Sequence, residues 1–184
     1  MEEFMISQES KDFLLKVARE SIESFLKGGL KKNMKTNDVQ LNTNAAVFVT
    51  LMKNNNLRGC IGTTAAYKPL YKAVAQMAVA AAIEDTRFNE VGLEELNDIK
   101  IEISVLSPLA RVKSAEKIRR NIDGVMVKKE NRSGLFLPQV WKELPNKEDF
   151  LSELCSQKAG LESDAWKDES TELYTFSVVS FEDK

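Results

Sequence analysis

The 184-residue chain contains no histidine. That absence removes the imidazole base on which most serine and cysteine nucleophiles depend, and the commonest nitrogen ligand of zinc. Cysteine is nearly absent too. Cys60 and Cys155 are too few for a disulfide framework and too isolated for a metal cluster. No aspartate-rich loop has calcium spacing, and neither a phosphate-binding loop nor a dinucleotide fingerprint occurs, so no metal or cofactor is expected. No stretch approaches the ~20 apolar residues of a membrane span. The opening MEEFMISQES is acidic and lacks a basic leader region, so a cytoplasmic location is expected. There both thiols stay reduced and the Asn131-Arg132-Ser133 sequon is without meaning. A formal net charge of −2 gives no global attraction to nucleic acid or to an anionic membrane.

What is present describes an ordinary water-soluble globular chain, 43% apolar and 29% charged, long enough for one well-buried core. The charge is uneven. Eight basic residues lie between Arg111 and Arg132 against three acidic ones, and eleven acidic residues follow from Glu143 against four lysines. The basic stretch reads either as a patch for RNA, phosphate or an acidic partner, or as a solvated face. No aromatic residue interleaves with its charges, which favours the solvated face.

Periodicity orders the chain. Ser7 is placed to cap a helix with the stripe Phe13, Leu14, Val17, Ala18, Ile22, Phe25, Leu26, ended by Gly28-Gly29. Residues 31–44 read as a polar loop or short insert. From Ala45 the period becomes two, and Asn54-Asn55-Asn56 turns the chain into a second run, Leu57 to Thr63: a β-hairpin. Pro69 opens an alanine-rich helix reaching about Glu84, expected to be buried. Ile99, Ile101, Ile103 and Val105 alternate with Lys100, Glu102 and Ser104, a strand with one wet face. A short helix from Ser114 to Arg120 is expected. So is a hairpin joined by Asn131 to Gly134, a helix capped by Asn146, and a strand-like run from Leu173 to Phe181. The fold class is α+β with a mainly antiparallel sheet flanked by helices, without a linker or internal repeat.

Chemistry concentrates at Leu57-Arg58-Gly59-Cys60-Ile61-Gly62. Two glycines weaken a strand, and they often mark the approach of a ligand or of another backbone. On a strand Arg58, Cys60 and Gly62 share a face, with Arg58 and Cys60 roughly 6–7 Å apart at the backbone. A guanidinium that near favours thiolate, and Gly62 would leave clearance beside the sulfur. The bland alternative is a small cysteine packed in a sheet, with glycines for a bulge. Cys155 sits on an apolar stripe and reads as core. Glu84-Asp85-Thr86-Arg87-Phe88 is the best carboxylate source, or else a helix end with an internal Asp85–Arg87 pair.

That hexapeptide resembles the signature of the AMMECR-one domain family. Four further motifs follow in family order: Pro69-Leu70-Tyr71 leading to Glu84-Asp85-Thr86-Arg87-Phe88; Glu102 to Pro108; Arg132 to Val140; and Ala159-Gly160-Leu161 with Ala165-Trp166 and Leu173-Tyr174. The resemblance spans about residues 8–181 as one domain. Thr86 stands where the family commonly has proline, and Asp123 where many members carry histidine. The resemblance implies a larger and a smaller lobe with a cleft near the signature. It implies work alongside a Memo-like protein and a radical S-adenosylmethionine enzyme, and no established activity. Three expectations follow. In the first, the chain is a ligand-binding or accessory component, or a cysteine-dependent enzyme on a small anionic substrate; Cys60 is the thiol, Arg58 the anion-binding cation, Gly59 and Gly62 the clearance, and Asp85 and Arg87 the lining. In the second, the segment is a contact surface for a protein partner. Nucleic-acid binding through residues 111–132 is the third.

Overall fold

The structure is a computed structural model and describes residues 4–29 and 34–183. Among these residues the helices are α1 (Gln8–Leu26), α2 (Val39–Asn42), α3 (Leu70–Ile83) and α4 (Lys147–Glu153). The strands are β1 (Val47–Lys53), β2 (Asn56–Thr63), β3 (Ile99–Leu106), β4 (Ala110–Val112), β5 (Gly124–Lys129), β6 (Arg132–Phe136), β7 (Glu172–Phe176) and β8 (Val178–Glu182). They form two four-stranded sheets, ordered β2-β1-β3-β8 and β4-β7-β5-β6. The chain divides into two compact units: Met1–Leu106 with Val179–Lys184, and Ser107–Val178. Helices and antiparallel sheets make this an α+β protein.

In the first unit, the Ser7 side chain accepts from the Ser10 amide, and Gly28 takes φ +66° just beyond the end of α1. The helix buries Leu14, Val17, Ala18 and Ile22, the three larger side chains contributing roughly 2 kcal/mol each. Phe25 is half exposed, while Leu26 beside it packs against the core. Residues 31–33 of the expected polar insert lie outside the described residues. The rest of it carries α2, capped by the Asp38 carboxylate, to which Ser10 Oγ also donates at 2.6 Å. Asn54 and Asn55 adopt φ 51° and 61°, the positive values that a tight hairpin requires, and join β1 to β2. The alanines of α3 are small enough for its backbone to come close to the sheet, and Ala73, Ala78, Ala81 and Ala82 are buried there. The expected wet face of β3 is dry at one position: Ser104 is buried, its hydroxyl 2.8 Å from that of Ser180 on β8.

The second unit is built on α4 and a continuing π-helical turn, Leu154–Ala159, closed by Gly160 at φ +63°. Phe150, Leu151, Leu154 and Cys155 are fully buried, and Trp141 stacks on Phe150 at 3.7 Å while donating to the Asp123 carbonyl. Three expectations are corrected here. Ser114 caps nothing, because the segment to Arg120 forms only a 3₁₀ turn, Ala115–Lys117, after an unforeseen strand β4. The turn of the second hairpin falls at Glu130, with φ 54°, so Arg132, Ser133 and Gly134 belong to β6. The run from Leu173 to Phe181 is two strands, β7 and β8, in different sheets.

Candidate functional site

Strand β2 lies at the edge of its sheet. Its pairing with β1 slips between Leu51 and Met52, where Leu51 faces Gly59 and Met52 faces Leu57. Arg58 is the extra residue of a bulge. Beyond it the register is regular, with Cys60 opposite Thr50 and Gly62 opposite Phe48. Each glycine then has a steric reason. A β-carbon on Gly59 would stand 2.1 Å from the backbone oxygen of Ala81 in α3, and one on Gly62 would stand 2.2 Å from the Phe48 ring. Gly59 marks the approach of another backbone rather than of a ligand. The space that Gly62 was expected to open beside the sulfur holds the Phe48 ring instead. The second unit repeats both devices, at Gly134 against the backbone of Lys158–Ala159 and at Gly124 against Phe176.

Cys60 is half-buried, its sulfur 3.2 Å from the Thr50 hydroxyl. Its amide points out of the sheet edge and donates to Asp85 Oδ2 at 2.8 Å. Arg87 grips the same carboxylate through Nε at 2.9 Å and Nη2 at 2.7 Å, and Nη2 also reaches the Cys60 carbonyl at 3.5 Å. The pair satisfies edge groups that would otherwise invite another strand. The Arg87 guanidinium holds the Asp85 carboxyl well below the usual range, helped by the Cys60 and Arg87 amides. Asp85 in turn raises Arg87, and the nearby Cys60 adds to it.

Arg58 faces elsewhere. Its Nε and Nη2 donate to the Glu95 carboxylate at 3.3 and 2.7 Å, Nη1 to the Asn89 carbonyl at 2.8 Å, and Nη2 to the Glu90 carbonyl at 3.1 Å. Its side chain is 16% exposed. Lys53 Nζ reaches the same carboxylate at 2.7 Å. The residue expected to hold an anion beside the sulfur instead ties β2 to the segment after α3. Arg58, and then Lys53, hold the Glu95 carboxyl down to about 2 from a usual 4.5. A depressed carboxyl stabilises the fold above its unfolded value and loses that contribution as pH falls towards 2. Glu95 therefore contributes on the order of 2–3 kcal/mol at neutral pH. Urea unfolding between about pH 5 and 2 should show a shallower acid slope in Glu95→Gln than in the parent; equal slopes would refute the assignment.

The structure thus brings Cys60, Asp85 and Arg87 together, with Thr50, which residue types did not single out. It separates Arg58 into an ion network with Glu95 and Lys53. Thr50 and Glu95 had no local signal, since one is found only through hairpin register and the other through a contact 37 residues away. Glu102, opposite Thr50 on β3, shares the sheet face with Cys60. Asp85 accepts from the Cys60 amide and three Arg87 donors, and so has little capacity left as a base. Among the described residues no group of three or more cysteines and carboxylates is placed to hold a metal. No helix among them is long and apolar enough to cross a membrane. In the basic stretch, Arg111 pairs with Glu172, Arg119 with the buried Asp123, and Lys129 with Asp168, while Arg132 donates to the Gly160 carbonyl. The second unit carries open grooves of about 480 and 770 Å³ along Leu161–Leu173, and neither is lined by a residue of the Cys60 site.

Fold and site together define an α+β protein of two units, each with an antiparallel sheet, and with a cysteine on a sheet edge whose backbone is clamped by an Asp–Arg pair. The chain belongs to the AMMECR1 family, whose sequence profile matches residues 15–181. It is 39% identical to a Pyrococcus furiosus protein over 98% of this chain and 91% of that one, and 37% identical to a Methanopyrus kandleri protein over 97% and 91%. The crystal structure of an uncharacterized protein from Pyrococcus horikoshii superposes with a TM-score of 0.84, at 39% identity, covering 98% of this chain and 95% of the other.

Proposed function

We propose that this protein is a ligand-binding or accessory component that works with a Memo-like protein and a radical S-adenosylmethionine enzyme, with the Cys60 edge as its contact site. One observation carries the preference for contact over catalysis. Cys60 is half-buried on a sheet edge, but the carboxylate beside it, Asp85, is consumed by Arg87 and by the Cys60 amide. In a chain without histidine, that removes the carboxylate in contact with the Cys60 backbone as a ready base for the thiol. A thiol so placed can touch a ligand or partner; it is poorly equipped to turn one over. The reading of Cys60 and Arg58 as an enzyme for a small anionic substrate is weakened further, because Arg58 is committed to Glu95.

Native mass spectrometry of the protein with each candidate partner tests the proposal. A complex with at least one of them is expected, weakened by at least tenfold, about 1.4 kcal/mol, in Cys60→Ser. No complex with either partner would refute the accessory role.

A further inference from the structure

We propose that the Cys60 site selects a small oxyanion, a carboxylate or phosphate, and that Arg87 rather than Arg58 is the cation that receives it, while the sulfur and the Thr50 hydroxyl touch the adjoining part of the ligand. The inference rests on the contact-site reading above and names the chemistry of what is contacted. The two arginines differ in what they have left to give. Arg58 has all three guanidinium nitrogens engaged with Glu95, Asn89 and Glu90. Arg87 spends Nε and Nη2 on Asp85 and the Cys60 carbonyl, and among the described residues its Nη1 makes no protein hydrogen bond. Its side chain is 56% exposed, whereas that of Asp85 is 5% exposed.

The arrangement is a preorganised receptor. Asp85 fixes one edge of the guanidinium plane, and Phe88 lies 5.5 Å from its centre as a cation–π neighbour. The free edge is therefore held in place before a ligand arrives, which lowers the ordering cost of binding. An anion at Nη1 is nearer to the cation than to the buried carboxylate, so attraction survives the pairing in reduced form. Arg87 reaches the Cys60 carbonyl at 3.5 Å, and the Cys60 sulfur, with the Thr50 hydroxyl 3.2 Å beyond it on β1, offers a soft and a hard polar atom for whatever the oxyanion is attached to.

Paired alkylation tests this with two reagents of nearly equal size. Iodoacetate carries the anion and iodoacetamide is neutral. In both, the Cys60 thiolate sulfur displaces iodide from the methylene carbon; a C–S bond forms, a C–I bond breaks, and the thiol proton has gone to solvent. Rates at Cys60 are read by peptide mass mapping on the full chain and divided by those of free cysteine. At low ionic strength the iodoacetate-to-iodoacetamide ratio should exceed that of free cysteine about fivefold, and added salt should collapse it. Arg87→Gln should bring the ratio to about one, and the charge-keeping Arg87→Lys should retain most of it. Acetate and inorganic phosphate then serve as competitors, and whichever slows iodoacetate more at equal concentration identifies the oxyanion. A wild-type ratio equal to that of free cysteine, or one that Arg87→Gln leaves unchanged, overturns anion selection while the contact site stands. A Cys60 that reacts with neither reagent overturns both.

Discussion

Gly59→Ala should cost about 3 kcal/mol or more, at the upper end for overpacking a closed site. The added methyl would stand 2.1 Å from the Ala81 carbonyl oxygen. Because that atom is backbone, no rotamer change relieves the contact, and Ala81→Gly should not rescue the variant. α3 would have to move off a sheet whose buried face it covers with Ala73, Ala78, Ala81 and Ala82. A thermal melt followed by circular dichroism should show a midpoint lower by on the order of 10 °C. A midpoint within a degree or two of the parent would mean that the helix yields easily. The glycine would then be kept for another purpose, such as the approach of a ligand.

Arg58→Met should be nearly as damaging. It removes two donors from Glu95, whose side chain is 15% exposed, and the donors that hold the Asn89 and Glu90 carbonyls. Breaking a largely buried ion pair from one side costs about 3 kcal/mol. The double variant Arg58→Met, Glu95→Met should be less destabilised than the sum of the single changes, with a coupling on the order of 2 kcal/mol by urea unfolding. An arginine held ready for a ligand behaves differently. Its loss would shift stability by no more than about 0.5 kcal/mol, and additivity with Glu95→Met would return Arg58 to the binding role that sequence spacing suggests.

Those two residues show what the sequence discloses and what it conceals. The hairpin is legible because Asn54 and Asn55 tolerate positive φ, and α1 because Ser7 and Gly28 bound an apolar stripe. The glycines of β2 are legible as close approaches, but the approaching atoms belong to Ala81 and Phe48, which only the packed structure brings there. Alternation correctly puts Cys60 and Gly62 on one face, yet it takes no account of the slip at Leu51/Met52 that makes Arg58 the bulged residue. Even without the bulge, nothing local pairs Arg58 with Glu95 rather than with the sulfur. Asp85 and Arg87 were legible as an internal pair, though not as the clamp on the Cys60 backbone. Asp123, standing where many relatives were expected to carry histidine, is buried and anchors Arg119 within the second unit.

The contact-site account stands on a sulfur that solvent reaches in the folded chain. Native protein treated with a neutral thiol reagent, then digested and mapped by mass, should carry one label per chain, on Cys60. Cys155, fully buried and with its thiol pushed up by burial, should stay unmodified until denaturant is added. Protection of Cys60 to the same degree as Cys155 would contradict the account and leave the hexapeptide as packing alone.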